Sequence, residues 1–208
     1  MVELIGVSGQ MQNGKDTLAD YLKLKLNGNW KRVAFAKNVK QIFIDYFGVD
    51  AQFIEKWKVI DENPPKFKKS VRKSLQFIGD GFREILDNIW IDKLFNTETY
   101  PIIISDCRYI NELKEIRNRG GLNILIWRPG MENNDPNGSE AQIKPVVEFY
   151  AKLGIEGKVT NCYKLSKDIV PTGADYIDYF IINNNVIDKL YNKIDELILQ
   201  DLVENVKM

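Results

Sequence analysis

The segment Gly9-Gln10-Met11-Gln12-Asn13-Gly14-Lys15-Asp16-Thr17 stands between an apolar run, Val2 to Val7, and a stretch in which Leu18, Tyr21, Leu22 and Leu26 recur at helical spacing. The run reads as a mostly buried strand and the recurrence as an amphipathic helix. Strand, G-x-x-x-x-G-K, then helix narrows the fold sharply. Such a unit aims backbone N–H groups and a helix N-terminus at a polyphosphate. Gly9 and Gly14 allow backbone shapes and close approaches that a Cβ would block, and Lys15 can reach β- and γ-phosphates as a point charge. Where Ser or Thr usually follows the lysine to ligate Mg²⁺, this chain has Asp16, with Thr17 one step later. Asp16 has two readings: a carboxylate ligand of Mg²⁺, direct or through water, or a charge that complements the helix N-terminus. Thr17 can donate to a phosphate oxygen.

Strand and helix alternate along the rest of the chain, which implies a mostly parallel sheet. Arg32 to Ala36 reads as a second strand, Val39 to Phe47 as a helix stopped by Gly48, and Asp50 to Trp57 as another helix. A polar break at residues 61–65 precedes a long helical region from Phe67 to Leu94, interrupted around Gly79 to Gly81. Tyr100 to Ser105 is the clearest interior strand. A helix over Ile110 to Arg119, a strand over Leu122 to Trp127 and a Gly/Pro/Asn/Asp-rich loop from Arg128 to Gly138 follow. Tyr176 to Ile182 is the expected last strand, and Ile187, Leu190, Tyr191, Ile194, Leu197 and Ile198 mark a final amphipathic helix. The regions divide into a core (about 1–48, 98–127 and 174–208), a helical region (about 49–97) and a lid with insertion (about 128–173).

Composition excludes several classes. The 208 residues, 44% hydrophobic, suffice for one α/β domain with a sizeable core. Lys+Arg and Asp+Glu are equal at 29, so no global basic field recommends polymeric nucleic acid or an anionic membrane as partner. Cys107 and Cys162 give neither a disulfide framework nor a zinc spacing, which suits a reducing cytoplasm. The absence of histidine removes His general bases, Ser-His-Asp triads and His-ligated metals. No signal-peptide pattern is expected at the N-terminus, and no apolar run reaches the ~20 residues of a membrane span.

Ligands of open α/β sheets sit outside the carboxyl edge, where the phosphate loop and Asp106 both fall. Asp106 reads either as a carboxylate serving Mg²⁺ or the incoming nucleophile, or as a cap for the helix near Ile110. Arg108 can follow it to a phosphate or serve as its ion-pair partner. Cys107 is read as a small core residue. On the long helical region Arg72, Gln76, Gly79 and Arg83 share one face, beside an apolar stripe of Val71, Leu75, Ile78, Phe82 and Leu86. Two guanidinium groups bracketing an amide and a glycine suit an anionic ligand with a hydrogen-bonding ring. The other reading is a solvated face.

Together these segments resemble the P-loop deoxynucleoside monophosphate kinases of bacteriophages and some bacteria. The resemblance spans most of the chain. It rests on GQMQNGKDTLADYL, FAKNVKQIF with Phe47-Gly48, SVRKSLQFIGDGFR with Trp90, IIISDCRYINELKEIRNRGG, WRPG, Ser139-Glu140 and a closing INNN. The D-x-R-x-x-N-E segment (Asp106, Arg108, Asn111, Glu112) is the most specific part. The resemblance implies a three-layer P-loop NTPase fold of the nucleotide-kinase kind with a helical substrate-binding region and a lid. It further implies that Gly9, Gln12, Asn13, Gly14, Lys15, Asp16 and Thr17 hold ATP phosphates, with Asn183 and Asn184 near the adenine. Asp16 and Asp106 would serve the metal. Lys40, Arg72, Gln76, Gly79, Arg83 and Trp90 would hold the deoxynucleoside monophosphate, and Lys15, Asp106, Arg108 and the lid arginine Arg128 would act in catalysis. Residues 144–173 match least. Related kinases are often dimers, so a homodimer is an expectation. The many Asn, Lys and Ile residues are compatible with an AT-rich phage genome.

Two rival readings remain at this level. Another small-molecule P-loop kinase, such as one resembling dephospho-coenzyme A kinase or adenylate kinase, would keep the loop and change the acceptor pocket. A non-enzymatic nucleotide switch would bind ATP or GTP without an acceptor.

Overall fold

The computed structural model describes residues 2–60, 62–131, 140–159, 169–200 and 202. In chain order its elements are β1 (Leu4–Ser8), α1 (Lys15–Lys25), β2 (Lys31–Val33), α2 (Ala36–Phe47), α3 (Ala51–Trp57), α4 (Val71–Ile85), α5 (Ile89–Thr97), β3 (Ile102–Cys107), α6 (Ile110–Asn118), β4 (Leu122–Trp127), α7 (Lys144–Leu153), β5 (Gly157–Lys158), β6 (Tyr179–Ile182) and α8 (Ile187–Ile194). They form two compact units, one from Met1–Ala34 and Thr99–Met208, the other from Phe35–Glu98.

The first unit is built on a six-stranded sheet of order β2-β3-β1-β4-β6-β5. All neighbours are parallel except the short β5, which runs against β6. β1 is central. Leu4, Ile5, Gly6, Val7 and Ser8 are all buried, as a parallel strand covered on both faces requires. In register, Ile5 lies beside Ile103 of β3 and Leu122 of β4, so the three strand ends reach one edge together.

Side-chain alternation divides the sheet residues between two helical layers. Ile5, Val7, Ile103, Ile124, Ile126, Tyr179 and Ile181 join Leu18 and Leu22 of α1 and Leu190 and Ile194 of α8 in one core. α6 and α7 pack against β4, α6 also on β1, and the Tyr150 ring of α7 stacks on Phe180 of β6 at 5.7 Å. The expected α/β three-layer architecture with a mostly parallel sheet is what the chain forms. A buried polar bracket fixes the C-terminal strands: Asp178 accepts the Asn123 backbone N–H at 2.9 Å and ion-pairs with Arg117. The Asn123 side chain donates to Leu113 and Tyr176 carbonyls, both at 2.9 Å.

The second unit is helical. Phe43, Ile54 and Val71 are its buried centre, with Phe53, Trp57, Phe67, Leu75 and Ile78 packed around them. Ser70 caps α4 by accepting from Lys73 N, and Asp50 caps α3 by accepting from Phe53 N at 2.7 Å.

Several boundaries differ from the sequence reading. The helical unit starts at Phe35 rather than near residue 49, because α2 packs on α3, α4 and α5. Phe35 and Ala36 begin a helix rather than end a strand. The long helical region starts at Val71, behind its Ser70 cap, and breaks at Leu86 instead of Gly79–Gly81. A mid-helix glycine weakens a helix by only about 1 kcal/mol, and the Gly79 carbonyl is anchored by the Trp90 indole N–H at 3.0 Å. Of the expected apolar stripe, Phe82 and Leu86 are exposed. β6 begins at Tyr179, after a 3₁₀ turn over Ala174–Tyr176, and the last helix passes into a π-helical stretch at Asp195–Leu199. Two elements had no counterpart in the reading, α7 and β5. Of the expected loop from Arg128, residues 132–138 lie outside the described residues, as do Ser139 and Cys162.

Replacing Asp178 with Ala leaves a buried backbone donor and the Arg117 charge without their acceptor. We expect a loss of about 2 to 3 kcal/mol in stability, read as a lower urea midpoint with unchanged m-value, whereas a change below 0.5 kcal/mol would remove this bracket from the fold's requirements.

Candidate active site

The loop after β1 turns on two glycines in left-handed backbone regions, Gly9 at φ 145° and Gly14 at φ 101°. A Cβ on Gly9 would stand 2.2 Å from the Ile126 carbonyl oxygen, and one on Gly14 would stand 2.7 Å from Asn183 Nδ2. At Gly9 the obstacle is fixed backbone; at Gly14 the Asn183 amide would have to move, and the left-handed φ strains any other residue. Gly14 is also the N-cap of α1 and has no side chain to occupy the first-turn N–H groups, which leaves that turn suited to an anion.

Neighbouring strand ends hold the loop in shape. Asn13 donates its side-chain amide to Ile126 O at 3.3 Å, and Asn183, following β6, donates to Asn13 O at 2.9 Å. Glu140 accepts the Met11 backbone N–H at 2.9 Å. Lys15 folds across the loop and donates from Nζ to Gln10 O at 2.6 Å. Its pKa is lowered to about 8, first by burial and then by the Arg108 charge, while Glu140, Asp16 and Asp106 oppose the shift. A phosphate placed here would supply the missing counter-charge.

Asp16 is exposed and pairs with Arg32 of β2 at 3.0 Å, the same arginine that pairs with Asp20 at 2.5 Å. Gln12 is exposed, with φ 65°, and Thr17 is half-buried in the first turn of α1. Asp106 is half-buried at the end of β3 and contributes to the Lys15 field. Arg108 is set by Glu112, whose buried carboxylate accepts the Arg108 N–H at 2.8 Å and the Tyr109 N–H at 3.1 Å. The Arg108 guanidinium lies 3.6 Å from Glu140. Cys107 is fully buried and burial pushes its thiol pKa well up, so it packs and is not a nucleophile. Arg128 is half-buried immediately after β4. Asn184 is exposed, while Asn183 is buried and engaged with the loop. Thus β1, β3, β4 and β6 bring Gly9, Asn13, Gly14, Lys15, Asp106, Arg108, Arg128 and Asn183 to one carboxyl edge, where a parallel α/β sheet binds ligands.

In the helical unit the expected acceptor residues fall into two groups. Lys40 pairs with Glu55 at 2.9 Å, Glu55 also pairs with Lys58, and exposed Arg72 donates to Lys58 O at 3.4 Å. Those two lysines lower the Glu55 pKa, Lys58 the more strongly. Further along α4, Gly79 O accepts from Arg83 at 3.4 Å and from buried Trp90 at 3.0 Å, and Trp90 packs on Phe82. Gln76 is half-buried between the groups. Among the described residues no cluster of three or more His, Cys, Asp or Glu could hold a metal ion, and no helix is long and apolar enough to cross a membrane.

Residue-based reading missed the roles of Glu140, Arg32 and Glu112. Glu112 had a local signal, its place four residues after Arg108. The others act across the fold.

A mimivirus protein, provisionally named a deoxynucleotide monophosphate kinase, is 27% identical over 210 residues, covering 92% of this chain and 93% of its own length. By sequence this chain is its homologue. The resemblance in the motifs therefore extends along nearly the whole chain. No family model matches it. Among solved structures, shikimate kinase from Acinetobacter baumannii has a TM-score of 0.49 at 14% identity, covering 97% of this chain and 95% of its own. Thymidylate kinase from Candida albicans has 0.39 at 15% identity, covering 99% and 92%.

The Lys15 shift fixes two signs. Between pH 8 and 10.5 the unfolded chain keeps a proton that the folded protein has released, so stability rises with pH across that window. Lys15→Met should remove this rise and raise stability at pH 7. Mg·ATP binding near pH 9 should take up a proton, detected by calorimetry in buffers of different ionisation enthalpy; binding without uptake would place the phosphates away from Lys15.

Proposed function

We propose that the protein is an ATP-dependent nucleotide kinase that transfers the γ-phosphoryl group of ATP to a deoxynucleoside monophosphate, giving the diphosphate and ADP. The reading is carried by the glycine-shaped phosphate loop with buried Lys15 at its base, at the carboxyl edge of a parallel sheet. The full-length similarity to the viral protein supports the choice of acceptor.

The chemistry asks for no histidine. An acceptor phosphate oxygen is already a nucleophile near pH 7; it attacks the γ-phosphorus as the bond to the β–γ bridging oxygen breaks and ADP leaves. Positioning and charge neutralisation supply the rate. Lys15 and the first-turn amides of α1 would hold the β- and γ-phosphates, and Arg108 and Arg128 would meet the charge of the group in transfer. Residues Thr17 and Asp106 offer hard oxygen donors that suit Mg²⁺, which typically keeps phosphate and water ligands beside one or two carboxylates. When bound, Mg²⁺ would supply charge neutralisation for the phosphates. Asp16, paired with Arg32, would contribute to the loop field.

For the acceptor, the helical unit offers Arg72 and Lys40 as phosphate ligands near the start of α4 and Gln76 for a base edge. In this reading Arg83 and Trp90, bonded to Gly79 O, shape the floor beneath the sugar or base.

The test is ADP release from Mg·ATP with each deoxynucleoside monophosphate, the matching ribonucleotides and dephospho-coenzyme A. Turnover with one or more deoxynucleotides and little without acceptor is expected; acceptor-independent hydrolysis would favour a switch, and a response to dephospho-coenzyme A alone would change the acceptor class. Lys15→Ala should lower kcat at least about 10²-fold, while Arg72→Ala should chiefly raise KM for the monophosphate. Unchanged Arg72→Ala kinetics would remove α4 from the acceptor site.

A further inference from the structure

Glu140 is 129 positions from the phosphate loop in sequence, yet its Oε2 accepts the Met11 N–H at 2.9 Å. The residue is 4% exposed. Its other oxygen, Oε1, lies 3.6 Å from an Arg108 guanidinium nitrogen. A buried carboxylate is tolerable only when paired and hydrogen-bonded, and both partners here belong to the phosphate machinery. The backbone around Glu140 is itself anchored. Its carbonyl accepts from Ile143 N and Lys144 N, Gln142 Oε1 accepts from Ile110 N at the start of α6, and Ile143 is fully buried. The carboxylate therefore projects from a fixed base and is not a surface side chain that found a nearby cation.

We propose that Glu140 is a positioning residue of the phosphate site, clasping the outer rim of the loop through Met11 and aiming Arg108 through its guanidinium. The proposal rests on the kinase reading for the role of Arg108, whereas the clasp on Met11 is independent of it. A guanidinium carries five N–H donors in a fixed fork, a geometry that can meet a carboxylate and a phosphoryl oxygen together. Glu112 fixes the Arg108 backbone and Glu140 fixes its head group. Arginine is thereby held at both ends, which lowers the ordering needed at the moment of transfer. Met11 lies on the loop outside the first turn of α1, so its amide can serve the clasp while the Lys15-to-Thr17 amides serve phosphate.

This role gives a kinetic signature that loss of structure would not. Glu140→Gln keeps an acceptor for Met11 and removes a negative charge beside an anion site. It should lower kcat roughly 10- to 100-fold without raising KM for ATP. In an Arg108→Ala background the same change should add little, because its effect passes through the missing arginine. Amide hydrogen exchange at Met11 should accelerate in Glu140→Ala and much less in Glu140→Gln. The proposal is overturned if the two substitutions are additive in kcat within about a factor of two, if Glu140→Gln raises KM without lowering kcat, or if Met11 exchange is unchanged in Glu140→Ala. Should the wild-type protein show no phosphoryl transfer, the kinase reading fails while Met11 exchange still decides the clasp.

Discussion

An ammonium group buried at the head of α1, held by a carbonyl of its own loop, organises the carboxyl edge of the sheet. Burial disfavours its charge, and the pKa near 8 records that tension. Among the described residues no carboxylate pairs with it directly: Glu140 faces Met11 and Arg108, Asp16 faces Arg32, and Asp106 lies at the next strand end. A lysine left in this state attracts a polyanion more strongly than one already neutralised by a carboxylate. The arrangement is preorganised for ligand charge that arrives from outside.

Much of this was legible in the sequence because it is local. The G-x-x-x-x-G-K spacing, the apolar strand before it and the Asp106 strand end each occupy a few consecutive residues, and parallel topology then places them on one edge. Element boundaries were less legible where tertiary contacts override propensity. Gly79 and Gly81 looked like a helix break, yet the Trp90 indole secures that turn. The helix α7 carries a local signal of its own, Pro145 in its first turn and Gly154 at its end.

Long-range partnerships were not legible. Nothing near Glu140 in the chain announces Met11, and nothing near Asp16 announces Arg32. Such pairs exist only once the sheet order β2-β3-β1-β4 has been set. Asn183 shows the same limit: the resemblance implies a place near the adenine, and nothing near it in the chain announces the contact by which its amide grips Asn13 of the phosphate loop. The helical unit reads differently again. Its aromatic centre of Phe43, Phe53, Trp57 and Phe67 gives it a core of its own.

The Asn183 contact also bears on how the site comes into being. The motif is complete by residue 17, but the amide that braces Asn13 is 170 positions later. During synthesis the phosphate loop therefore emerges early as sequence and late as structure. Its final curvature waits for β6 to dock beside β4, which makes formation of the site a report that the C-terminal part of the sheet has closed.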